Sequence, residues 1–101
     1  MERNKVVILQ KRIKEYRVSL FDGIGELYDT TVVGYLDPLI QGDHYSINKL
    51  DHKYWPISLD YYLDKDLRDL LRDADVVIRS TDFRSINNAI RRKVAPKAKI
   101  I

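Results

Sequence analysis

The chain has 101 residues, 45% of them apolar and 33% charged, and no cysteine. That is the length and composition of one folded domain, and it excludes disulfide scaffolds, thiolate metal sites and cysteine nucleophiles while fitting a reducing cytoplasm. The net charge of +3 hides a sorting: residues 1–17 carry six Lys/Arg against two acids, 18–75 five against twelve, and 76–101 seven against one, so two distant basic segments can meet in the fold.

Lys5 to Gln10 (KVVILQ) is a continuous β-branched apolar run, the signature of a strand buried on both faces of a parallel sheet. From Ile13 the spacing lengthens to threes and fours through Arg17, Leu20, Phe21, Ile24, Leu27 and Tyr28, which predicts a helix packing that face on the sheet. Gly23 and Gly25 fall inside it, each at a cost of about 1 kcal/mol relative to Ala. Thr30 to Leu36 reads as a second strand, and Asp37-Pro38 and Gly42-Asp43 end it with turn residues. A third strand is predicted near Tyr45 to Leu50, followed by irregular chain through the aromatic residues Tyr54 to Tyr62, a core or lid element with a partner surface as the alternative. Leu63, Leu67, Leu70, Leu71 and Ala74 share a helical face behind Asp64 as N-cap. Asp75 to Arg79 repeats the buried-strand pattern, Phe83 to Val94 is a further helix closed by Pro96, and Lys97 to Ile101 is a last strand. The expectation is a single α/β domain over residues 1–101 with an open, mainly parallel Rossmann-like sheet in the order 3-2-1-4-5 and helices on both faces. The terminal strand leaves an edge through which two chains could pair as a homodimer.

No P-loop, Gly-x-Ser-x-Gly elbow or zinc-binding helix motif is present, no cofactor is implied, and no apolar run approaches a membrane span. His44 and His52 lack a third ligand at suitable spacing, so no metal site is expected. The informative segments follow the two apolar strands, because open α/β sheets bind ligands beyond the carboxyl ends of strands where the strand order reverses. One, after Gln10, brings Lys11, Arg12 and Arg17 to a helix start. The other combines Arg79, Ser80, Thr81 and Arg84 at a second. Free amides at helix starts favour anions, and these seven residues are the expected ligand-binding set; no catalytic base is identified.

The residues Lys5-Val-Val-Ile-Leu followed by Tyr16, Arg17 and Phe21 resemble the opening of GT-B-type glycosyltransferases of the family 4 kind. Asp75-Val-Val-Ile with Arg84 resembles the same family's later strand and loop. The Tyr-Arg helix start is the more specific of the two, and Lys14-Glu15 stands before it where that family usually has proline or a small residue. The resemblance implies the N-terminal, acceptor-binding half of an enzyme that transfers a sugar from a nucleotide diphosphosugar to a hydroxyl acceptor. The C-terminal half that holds the nucleotide sugar would be missing, and the chain would be inactive alone. The alternative from the residues themselves is a stand-alone α/β module whose basic crevice takes a phosphorylated ligand, or less readily nucleic acid.

Overall fold

The computed structural model describes residues 3–10, 12–34, 36–49, 65–79 and 96–101. In chain order these form β1 (Lys5–Leu9), α1 (Glu15–Leu27), β2 (Asp29–Gly34), β3 (Ser46–Lys49), α2 (Lys65–Asp73), β4 (Val76–Arg79) and a two-residue β5 (Lys99–Ile100). Four parallel strands lie in the order β3-β2-β1-β4, and β5 pairs parallel with β4 through Val76 with Lys99 and Val77 with Ile100. The predicted helix over 83–94, the Asp64 cap and the aromatic segment 54–62 lie outside the described residues.

The two strands predicted to be neighbours are neighbours. Val6 pairs with Val76, Val7 with Val77, Ile8 with Ile78 and Leu9 with Arg79, while the other side of β1 pairs with β2 from Lys5–Asp29 to Leu9–Val33. Because successive strand residues point to opposite faces, β1 must be apolar throughout to lie between two layers. Val6 and Ile8 join Ile13, Phe21, Val32 and Tyr45 in one core cluster beneath α1. Val7 and Leu9 are just as buried on the other face, where α2 lies against β1 and buries Leu67, Leu71 and Ala74 at the predicted helical spacing.

The buried face of α1 differs from the expected one. Phe21 and Gly25 are its buried residues, with Val18 and Ile24 packed beside them. Leu20, Leu27 and Tyr28 are exposed. Two contacts turn the helix this way. Ile13 is not helical but forms a bridge with Leu39, and Gly25 has no side chain to hold off the His44 backbone, which a β-carbon there would overlap.

Amino-end bonds join three strands through one residue. The Asp75 N–H donates to the Lys5 carbonyl (2.8 Å), the Lys5 N–H to the Asp75 carboxylate (2.8 Å) and the Lys99 N–H to the Asp75 carbonyl (3.0 Å). Lys97 Nζ lies 3.6 Å from the same carboxylate. The Lys5 N–H, and secondarily the two lysine charges, hold the Asp75 carboxyl below the usual aspartate range.

Candidate functional site

The carboxyl ends of β1 and β4 lie side by side, with Leu9 opposite Arg79. The strand order changes direction here: β2 and β3 continue to one side of β1, and β4 lies on the other. A crevice at such a point is the usual ligand position in open α/β sheets.

The segment after β1 is fixed to the β2 side. Gln10 N–H donates to the Val33 carbonyl (2.9 Å) and Ile13 N–H to the Pro38 carbonyl (2.8 Å), while the Ile13 side chain is fully buried. The Asp37–Pro38 peptide is cis. The next residues are braced in turn: Tyr45 donates its hydroxyl to the Ile40 carbonyl (2.5 Å) and sets its ring edge-on to Phe21. Gln41 donates its side-chain amide to the Tyr45 carbonyl. Burial, with Asp22 nearby, raises the Tyr45 phenol above its ordinary pKa, so it stays a protonated donor. This brace was missed in the sequence; its signal was the apolar pair Leu39-Ile40 directly after Asp37-Pro38.

Arg12 is held half-buried between these anchors. Its Nε is fully enclosed and has no hydrogen-bond partner, an unfavourable state for a buried donor unless a ligand accepts from it. Two residues on, Lys14 takes the N-cap position of α1 in extended conformation without a side-chain cap; the Arg17 N–H donates to the Lys14 carbonyl (2.9 Å), which leaves the Glu15 and Tyr16 amides as the first-turn donors. Arg17 is half-buried in that turn, its guanidinium 5.5 Å from the centre of the Tyr16 ring, an arrangement that orients the cation. Toward β3, Lys49 is paired with Asp37 at 3.6 Å across an exposed surface.

Among the seven expected ligand-binding residues, Arg12 and Arg17 follow β1, each half-buried, and Arg79 ends the adjacent strand. Lys11, Ser80, Thr81 and Arg84 lie outside the described residues. His44 does not stand as a free ligand: its Nε2 is 3.4 Å from Glu26, and its backbone N–H donates to Asp22 (2.9 Å). His52 lies outside the described residues. One open groove, of about 670 Å³, runs from Lys5 and Asp29 along the length of β3 to Lys49 beside α2, and another, of about 530 Å³, lies at the amino end of the sheet. Their linings mix Lys5 and Lys49 with Asp29, Asp69 and Asp73 in one, and Arg3 and Lys5 with Asp29 and Asp43 in the other, so neither concentrates one sign of charge as the segment after β1 does.

Among the described residues no helix is long and apolar enough to cross a membrane. No protein-family model matches this chain, and no curated protein or solved structure matches it.

Proposed function

We propose that the chain is the acceptor-side, Rossmann-like unit of a GT-B-type glycosyltransferase, with a five-stranded sheet between two helical layers and a crevice that takes an anionic group of the acceptor or the departing diphosphate. The observation that carries this reading is Arg12, a cation whose enclosed Nε has no hydrogen-bond partner among the described residues, at the point where the strand order changes. The uncapped start of α1 and the oriented Arg17 guanidinium support it, as does the Tyr16-Arg17 pair at the helix start that resembles that family. In the full reaction an acceptor hydroxyl oxygen attacks the anomeric carbon, the bond from that carbon to the diphosphate oxygen breaks, and the hydroxyl proton passes to a base. Arg12 and Arg17, joined by Lys11, Arg79, Ser80, Thr81 and Arg84, would hold negative charge at that place by charge-assisted hydrogen bonds. A cytoplasmic setting fits a chain without cysteine.

The test is an NMR titration of the isotope-labelled chain with saccharides, their phosphorylated forms, a uridine diphosphate sugar and inorganic phosphate. Phosphorylated saccharides are expected to move the amides of Arg12 to Arg17 further than inorganic phosphate does at the same concentration. Equal responses would replace this reading with a general anion-binding module. No response there would remove the crevice altogether.

A further inference from the structure

The outer surface of α1 carries a second feature, which shares only Tyr16 with the crevice reading. Tyr16, Leu20 and Leu27 are 69%, 54% and 69% exposed. With Gly23 they fall at spacings of four, three and four residues, the repeat of a coiled-coil seam rather than of scattered surface residues. Parallel to this stripe and one residue behind it run Glu15, Ser19, Asp22 and Glu26. That edge is acidic: Asp22 accepts from the His44 N–H and Glu26 lies 3.4 Å from His44 Nε2 but stays exposed, in a last turn that holds no basic residue, where the helix dipole favours a cation.

Gly23 leaves a gap in the stripe between Leu20 and Leu27. The other helical glycine, Gly25, is required by the fold because a β-carbon would overlap the His44 backbone, whereas at Gly23 a β-carbon would meet nothing within 4 Å. A glycine inside a helix is unfavourable, and nothing among the described residues accounts for this one. Flanked by Leu20 and Leu27, it leaves a notch that a large side chain from outside can fill.

We infer that the Tyr16–Leu20–Gly23–Leu27 face of α1 docks an amphipathic helix of a partner protein, one that sets a bulky apolar side chain over Gly23 and lines its flank with Lys or Arg against Glu15 and Glu26. The seam spacing selects a helix as occupant, since a strand repeats every two residues. The charge selects a basic flank and disfavours a second copy of this chain. When a helix pairs with itself about a two-fold axis in antiparallel fashion, the same edge meets itself, and here that sets carboxylates against carboxylates.

The probe is a synthetic helical peptide about five turns long, with leucine at seam positions and lysine along one flank, beside a counterpart carrying glutamate in place of lysine. The lysine peptide is expected to shift amides from Tyr16 to Tyr28, and the glutamate peptide to bind at least about tenfold more weakly. Gly23→Leu fills the notch; it is expected to raise the melting temperature and yet weaken the lysine peptide at least about tenfold. The melt separates lost docking from lost folding. Equal binding of the two peptides, unchanged affinity in Gly23→Leu, shifts outside α1, or a dimer in sedimentation that Gly23→Leu abolishes would each overturn the proposal.

Discussion

Arg12 illustrates how one side chain can be poor for folding and suited to binding. Its enclosed Nε without a partner costs stability of the order that any buried unsatisfied donor does, roughly 1–3 kcal/mol. Arg12→Met keeps the length and removes the donor, so the variant is expected to match or exceed the parent in urea denaturation by up to about 1 kcal/mol. The same variant is expected to lose the response of the Arg12 to Arg17 amides to phosphate; a variant that is clearly less stable, or still responds, contradicts the role given to the guanidinium. Asp75 is the opposite case, a charge whose partners are all within the fold. Its carboxyl is held below the usual range chiefly by the Lys5 N–H. A depressed folded-state value gives stability that is present above the unfolded-state value, about 3.9, and fades as the pH falls through the lower folded one. Asp75→Asn is expected to be less stable than the parent at neutral pH, with the difference vanishing in acid; a difference independent of pH would show that the charge is irrelevant.

At the level of elements, α1 and the segments around it explain what was and was not readable in advance. The strands β1 and β4 were plain because a run apolar on both faces has few other uses, and α2 because Leu67, Leu71 and Ala74 keep strict helical spacing. The inward face of α1 was misjudged because it depends on His44, nineteen positions beyond Gly25, and a glycine's role as a landing site for another backbone leaves no periodic trace. Gly25→Ala is accordingly expected to destabilise by about 1–3 kcal/mol through overpacking, where Gly23→Ala gains about 0.5–1 kcal/mol from helix propensity; paired thermal melts read both, and equal signs would refute the packing argument. The candidate site was only partly readable for a related reason. Basic residues after a strand are visible in sequence, but the enclosure of Arg12 depends on Ile13 reaching Pro38 and Leu39. Ile13→Ala empties a fully buried position and is expected to cost about 2–5 kcal/mol. It should also displace the amides from Gln10 to Arg17, in NMR spectra recorded where the protein is still folded.

Across the whole molecule, the sheet is ordered about β1, which alone exchanges hydrogen bonds along its full length with one neighbour and nearly so with another. Local opening should therefore reach it last. Amide hydrogen exchange is expected to be slowest at Val7 to Leu9 and faster in β3, which lies at the edge of the sheet; comparable protection in the two strands would contradict the order. The charge sorting has a counterpart in space. The basic residues Arg12, Lys14 and Arg17 follow β1, and the pairing that buries β1 against β4 sets Leu9 opposite Arg79 at that same end of the sheet, so the topology that closes the core also places cationic residues there.

The tie between Lys5 and Asp75, residues separated by 70 positions, has a meaning for the chain as it is made. The strand that becomes the centre of the sheet leaves the ribosome before the other strands, and its β4 neighbour follows roughly 3–14 s later at ordinary rates of synthesis. During that interval Val6 to Leu9 can acquire β2 but keeps one backbone edge unpaired, next to some of the most apolar sequence in the protein. Edges of that kind recruit other strands. The nascent chain is thus most vulnerable to misassociation at its own future core, and a chaperone or the ribosome surface has the most to shield in the seconds before Asp75 arrives.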